Sequence, residues 1–485
     1  MRNETGISGL PVGYRVVVIT LDAHSAGPCD RAAARLLADF PGLSVDVHAA
    51  AEWGENPQAL VEAKAAIATA DIILVNLLFL EEHVQAILPS LEARRAGCDA
   101  MAGVISDAAI VKLTRMGALD MLAPASGTMA LLKRLRGSSK PSSQNGESKM
   151  RMLRRLPKIL KYIPGKAQDL RAWFMVMQYW LGGSDTNIES MLRFLISRYC
   201  RIEAWQNCAA APPEDYPEVG LYHPDLPGKM TTDITALPVP QKPVATVGLL
   251  LMRSYVLSDD TAHYDAVIRN FEANGLKVIP AFAGGLDARP AIEGYFQGTA
   301  GVQIDAMVSL TGFSLVGGPA YNNSQAAIAL LENLDVPYIA AHPLEFQTLG
   351  QWANAEQGLG PIETTMLIAL PELDGATCPT VFAGRHGPEG CQGCLHKCQA
   401  AAQSRAMAPC HERIDSLAEK TLRAARLRQK RNHDKNVAIV LFGFPPNAGA
   451  TGTAAYLDVF ESLQNTLMQM KADGYDVALP ETVAH

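Results

Sequence analysis

The hydrophobic pattern repeats one plan three times along the chain. Residues 15–21 form a short, continuous, β-branched apolar run, followed by a polar loop, an Ala/Leu-rich helical stretch over 30–39 and a second run over 43–48. Residues 244–252 begin the plan again, with a loop carrying Asp259, Asp260 and His263, a helix ending at Asn274 and a run over 276–283. Residues 437–443, a glycine-bearing loop, a helix over 453–472 and a run over 474–480 make the third unit. Continuous β-branched runs alternating with helices predict buried parallel strands joined by right-handed crossovers. Further strands are predicted at 71–77 and 102–107 in the first unit, and at 305–311 and 336–342 in the second. Between these units, 170–181 and 188–201 read as helices, the second with Met191, Leu192, Leu195, Ile196 and Tyr199 on one face.

The expected fold class is therefore α/β and multidomain: doubly wound parallel sheets, a helical connector and a truncated third α/β unit. The predicted organisation is an N-terminal α/β domain over 1–135, a basic loop and helical connector over 136–240, and a second α/β domain over 241–385. A Cys-rich insertion and helical linker over 386–436 and the first βαβ unit of a third domain over 437–485 complete it. A two-stranded parallel unit cannot cover both its faces. That third unit is expected either to pair onto another sheet or, as favoured here, to continue beyond His485.

Composition narrows the class. At about 150 residues per domain, 485 residues agree with roughly three domains. Apolar residues at 48% and charged residues at 19% supply a sizeable core. Forty-two Lys and Arg against 49 Asp and Glu give −7, which argues against a general nucleic-acid binder. Residues 131–171 invert that balance, with twelve Lys and Arg against Glu147 and Asp169. That stretch reads as a solvated linker, or as a patch for an acidic partner or, at most peripherally, an anionic membrane surface. No apolar run reaches the roughly 18 residues that span a bilayer, and the first residues lack the apolar segment of a signal peptide. A cytoplasmic location is expected, where the nine Cys are thiols or metal ligands rather than disulfides.

Two motifs carry candidate chemistry. Cys391, Cys394, Cys398 and Cys410 follow the spacing C-x2-C-x3-C-x11-C, with Gly387, Pro388, Gly390 and Gly393 supplying turns. Thiolates so close in sequence can face one soft ion, which fits either a tetrahedral zinc site or a [4Fe–4S] cluster. The alternative is a set of unliganded reactive thiols. The second motif, FGFPPNAGATGT over 442–453, leaves a predicted strand and opens a helix. Asn447, Gly449, Thr451, Gly452 and Thr453 there suit a tight turn whose backbone N–H groups face a carboxylate or phosphate. An ordinary capped turn accounts for the same residues. It is neither a Walker A loop nor a G-x-G-x-x-G fingerprint. Loops 282–287 and 309–319 also place glycines at the carboxyl ends of predicted parallel strands, where open α/β sheets bind ligands. Tight turns with solvated charges explain them equally.

At these residues the chain resembles a known family. The strings VAIVLFGFPPNAGATGTAAYLDVFES from 437, VIPAFAGGLD from 278, SLTGFSLVGGPA from 309 and ALPELDG from 369 closely resemble the large subunit of magnesium chelatase and its cobaltochelatase relative. Residues 14–135 resemble the extra domain of the magnesium subunit, and AGRHGPEGC from 383 resembles the form found in bacteriochlorophyll-making organisms. The resemblance covers essentially the whole chain, but only the amino-terminal part of a subunit more than twice as long. It implies a porphyrin-binding subunit that inserts Mg2+ into protoporphyrin IX in (bacterio)chlorophyll biosynthesis. ATP would be hydrolysed by an AAA+ ATPase subunit and its partner subunit, with the downstream Mg-protoporphyrin methyltransferase as a further partner. The family's catalytic bases would lie beyond residue 485, so the resemblance assigns none here. It places the loop from Asn447 to Thr453 on the wall of the active-site cavity and the four Cys as cluster ligands. Alternatives are a cobaltochelatase large subunit of cobalamin biosynthesis, or a non-catalytic regulatory module that holds a tetrapyrrole or a cluster.

Overall fold

The computed structural model describes residues 13–21, 25–54, 56–123, 157, 160–206, 208–298, 301–317, 322–388, 390–391, 394, 406–441 and 458–480. Two parallel-rich sheets organise them. In the first, β1 (Tyr14–Thr20), β2 (Leu43–Ala49), β3 (Ile72–Asn76) and β4 (Ala100–Val104) run parallel in the order β2-β1-β3-β4. The two-residue strands β5 (Arg115–Met116) and β6 (Leu119–Asp120) close that edge in antiparallel fashion. Every residue of β3 and β4 is buried, as expected where helices cover both faces.

Helix Ala26–Leu36 packs on one face together with Lys166–Gly182 and Asp185–Tyr199, around Tyr14, Val16, Val18 and Leu74. The last two are the helices expected between the α/β units, and they bury their apolar stripe in the core of the first sheet. Helices Pro57–Thr69 and Glu81–Arg94 cover the opposite face through Ile67, Ile87 and Leu91. Burying each such side chain contributes on the order of 1.5–3 kcal/mol. At Gly103 in β4 a Cβ would lie 2.7 Å from the Ile110 carbonyl oxygen, so only glycine admits the following helix this close.

The second sheet is built from β7 (Val219–Tyr222), β8 (Met230–Thr231), β9 (Ala245–Met252) and β10 (Leu276–Ala283). A small hairpin of β11 (Gln297–Gly298) and β12 (Gly301–Val302) stands apart from it. The sheet continues with β13 (Ala306–Ser309), β14 (Tyr338–Thr348), β15 (Thr377–Arg385) and β16 (Ala408–Pro409). Its order is β16-β15-β14-β13-β9-β10-β7-β8, parallel from β15 through β10 and antiparallel at both edges. Helices Ala262–Ala273 and His411–Gln429 cover one face, and Arg289–Tyr295 and Ser324–Leu334 the other.

Apart from the two-residue strands β5, β6, β8, β11, β12 and β16, which the pattern also does not predict, the hydrophobic pattern and the fold differ at β7, at β15 and in the third unit. β7 and β15 are strands that the pattern does not announce. β7 has four residues, and β15 carries Pro379 and a left-handed Cys378 (φ +52°) beside register shifts against β14. In the third unit, helix Val459–Ala472 forms, but none of its residues is buried. Residues 437–441 and 475–480 are in no strand, and Val440 is 89% exposed. An apolar run becomes a strand only where a neighbour takes its backbone N–H and C=O groups, and no described strand lies beside these runs.

Candidate functional site

In a doubly wound sheet the ligand crevice opens at the carboxyl ends of the strands, where the strand order reverses. That reversal lies between β1 and β3 in the first sheet and between β9 and β13 in the second. Here the carboxyl edges of both sheets line one cleft of about 260 Å³, with Leu77 following β3, Ile105 following β4, Met252 ending β9 and Gly285 and Leu286 following β10.

The first-sheet wall is under backbone strain. Leu77 and Ile105 sit one residue past the ends of neighbouring strands with φ of +53° and +45°. The Leu77 N–H donates to the Ile105 carbonyl at 2.9 Å, and Leu78 N–H to Ser106 Oγ at 3.2 Å. Side chains other than Gly, Asn and Asp rarely occupy this region, and residues that do so cluster at binding and catalytic sites. Behind them Thr20 Oγ1 donates to Asn76 Oδ1 at 3.3 Å, while the buried Asn76 Nδ2 finds no partner. Trp180, Leu181 and Ile188, from the two helices packed on this sheet, extend the apolar wall.

The opposite wall is more polar. Arg253, Ser254, Leu257 and Ser258 form the turn that leaves β9. Arg253 is tied down by donating to the carbonyls of Pro217 (2.8 Å) and Tyr216 (3.1 Å). Gly285, at φ +86°, makes the bend after β10, and the Asp287–Arg289 ion pair (2.5 Å) fixes the loop beyond it. A smaller recess of about 30 Å³, the size of one water, shares Met252, Gly285 and Leu286 and reaches Thr311, Phe313 and Ser314. Loop 282–287 and the described part of loop 309–319, both singled out by their glycines, thus meet at this edge. The mouth is clamped by Arg31, whose Nε and Nη2 each lie 2.7 Å from an Asp185 oxygen while Nη2 also donates to the Ser258 carbonyl at 2.8 Å.

Three polar residues of the loop after β9 are not among the residues that line the crevice. Asp259 is exposed and pairs with Lys229 at 2.6 Å. Asp260 accepts the Met407 N–H at 3.0 Å. His263 is fully buried against Tyr255, Tyr264 and Phe382, with no partner for either ring nitrogen, and burial pulls its pKa down to about 3. His342 in β14 is similar, drawn down to about 4 by burial. Both imidazoles are neutral packing groups at neutral pH.

Asn447, Gly449, Thr451, Gly452 and Thr453, and with them Cys398, lie outside the described residues. Cys391 and Cys410 are buried in one small apolar cluster with Leu344, Leu349 and Val381, and Cys394 is half-buried. Among the described residues no three His, Cys, Asp or Glu side chains group closely enough to hold a metal ion. The described thiols therefore do not by themselves fit a zinc or iron–sulfur site, and no chemistry is assigned through one. No helix among the described residues is long and apolar enough to cross a membrane.

Two doubly wound sheets whose carboxyl edges line one cleft define an open α/β fold. The chain matches the CobN/Magnesium Chelatase family over residues 177–485 and a Domain of unknown function (DUF3479) over residues 15–174. It belongs to the CobN/magnesium chelatase family. It is 64% identical to the magnesium-chelatase subunit designated H in Cereibacter sphaeroides over 482 residues, which is 99% of this chain and 40% of that protein. It is 61% identical to its counterpart of the same designation in Rhodobacter capsulatus, over 98% of this chain and 40% of that protein. The chain thus spans about two fifths of the length of these relatives. Among solved structures, the catalytic subunit of cobaltochelatase from Mycobacterium tuberculosis shares the fold at a TM-score of 0.50 and 17% identity, over 95% of this chain and 31% of that one.

Proposed function

We propose that this chain forms the tetrapyrrole-holding part of a magnesium chelatase large subunit, which inserts Mg2+ into protoporphyrin IX for (bacterio)chlorophyll biosynthesis. The observation that carries the reading is the apolar cleft between two facing carboxyl edges, in a chain 64% identical to a magnesium-chelatase subunit. The substrate is a flat apolar macrocycle with two propionates, and an apolar cleft with a cationic polar wall suits that chemistry. Mg2+ gives up its waters reluctantly, which is a physical reason to drive insertion with ATP. A separate AAA+ ATPase subunit and its partner would supply that work in the cytoplasm, and a Mg-protoporphyrin methyltransferase would take the product. Pyrrole deprotonation calls for carboxylate or imidazole bases beside the metal. The two buried orphan histidines are too enclosed to serve.

The test is a titration of the purified chain with protoporphyrin IX and, separately, with a hydrogenobyrinic-type corrin, following the Soret band and Trp fluorescence. The reading predicts saturable porphyrin binding that is tighter than corrin binding. Absence of porphyrin binding overturns it, and a preference for the corrin favours the cobaltochelatase alternative.

A further inference from the structure

Among the described residues that line the cleft, Arg253 is the one charged side chain. The Arg253 guanidinium is held at the rim by two backbone carbonyls, so it is oriented before any ligand arrives. Ser254 and Ser258, on the same short segment, also line the cleft. Across the cleft the wall is apolar and is strained at Leu77 and Ile105. Apolar surface continues beyond the mouth at Phe79 and Leu80, both exposed just past Leu77, and at Leu286, which is 42% exposed. A cavity of about 260 Å³ with such a rim takes part of a ligand and leaves the rest outside.

We propose that this inter-sheet cleft holds one edge of the tetrapyrrole, with the ring against Leu77, Ile105 and Leu286 and the carboxylate side chains toward Arg253 and the neighbouring serines. This location rests on the tetrapyrrole-binding reading above and deepens it, because it assigns the contact to both sheets at once. It makes Leu286 a residue that touches the bound ring. The ligand's carboxylates then lie near enough to residue 286 to sense a charge placed there, an opposite charge attracting and a like charge repelling them.

The experiment is a titration of the whole chain with protoporphyrin IX and with its dimethyl ester, comparing the unaltered protein with Leu286→Asp, Leu286→Lys and, as an exposed control away from the cleft, Leu373→Asp. Thermal unfolding of each variant reports folding; Leu286 lies on a loop and neither charge buries there. The proposal expects Leu286→Asp to weaken protoporphyrin IX binding at least tenfold, with Leu286→Lys weakening it far less and Leu373→Asp leaving it unchanged. The Asp–Lys difference is expected to shrink with the dimethyl ester, which carries no carboxylate. If the unaltered chain binds porphyrin and the two Leu286 variants bind it equally, the cleft is the wrong place while the tetrapyrrole reading stands. If the unaltered chain binds no porphyrin, both fall.

Discussion

Leu77 donates its backbone N–H to the carbonyl of Ile105 across 2.9 Å, and both residues hold left-handed φ angles at the ends of adjacent parallel strands. The pairing turns the chain outward at β3 and β4 together and puts two apolar side chains on the cleft wall. Each such conformation costs an ordinary L-residue roughly 1–2 kcal/mol.

That strain has a substitution signature. Leu77→Gly removes the left-handed penalty and loses a half-buried side chain, so the melting temperature is expected to stay within a few degrees of the original. Leu77→Val keeps an apolar group but adds β-branching where it is least tolerated, and is expected to lose about 1–2 kcal/mol. Differential scanning fluorimetry ranks them, and valine outranking glycine contradicts the account.

Arg31 joins the two halves of the molecule through Asp185 and the Ser258 carbonyl. The side chain is 43% exposed, so its contribution to global stability is about 1 kcal/mol or less. Its effect on orientation is larger, because a planar fork contacts both partners at once. Arg31→Ala, and nearly as much Arg31→Lys, is expected to widen the small-angle scattering envelope with little change in melting temperature. An unchanged envelope in both variants argues that the clamp does not set the cleft.

His263 gives a pH dependence with a defined sign. Its folded pKa is near 3 through burial, against about 6.5 when unfolded. Between those values the unfolded chain binds a proton that the folded chain refuses, so stability is full above about pH 6.5 and falls as the pH drops toward 3. His342, lowered to about 4, adds to the same fall. His263→Phe keeps an aromatic ring among Tyr255, Tyr264 and Phe382 and removes one titrating group. Melting temperatures at pH 7, 6 and 5 are expected to decline less steeply in that variant; identical slopes contradict the assignment.

The cysteines separate by environment. Cys391 packs with Leu344, Leu349 and Val381, whereas Cys394 is half-buried. Cys391→Ser puts a hydroxyl into an apolar cluster and is expected to cost about 1–3 kcal/mol, while Cys394→Ser is expected to be nearly silent. Equal losses in both, together with stoichiometric iron or zinc in the purified protein, would show a shared metal site instead.

Much of this architecture is written in the hydrophobic pattern. β1, β3, β9 and β10 are continuous apolar runs because helices cover both their faces, and the glycine loop at 282–287 is found where it bends around Gly285. β15 escapes because its Pro379 and left-handed Cys378 read as a turn, and pairing with β14 overrides that local preference. The run at 437–441 fails in the opposite sense: it has strand composition and no neighbour among the described strands. Least legible are Leu77 and Ile105. Left-handed turns are inferred from Gly or Asn, and nothing in an isoleucine announces one; only the juxtaposition of two strand ends imposes it.

The most direct test of the central claim is amide hydrogen exchange of the whole chain with and without saturating protoporphyrin IX. The account predicts porphyrin-dependent protection at both carboxyl edges together, in peptides covering 76–80 and 104–107 of the first sheet and 252–258 and 284–288 of the second. Protection confined to one sheet, or elsewhere with these four segments unchanged, would contradict it.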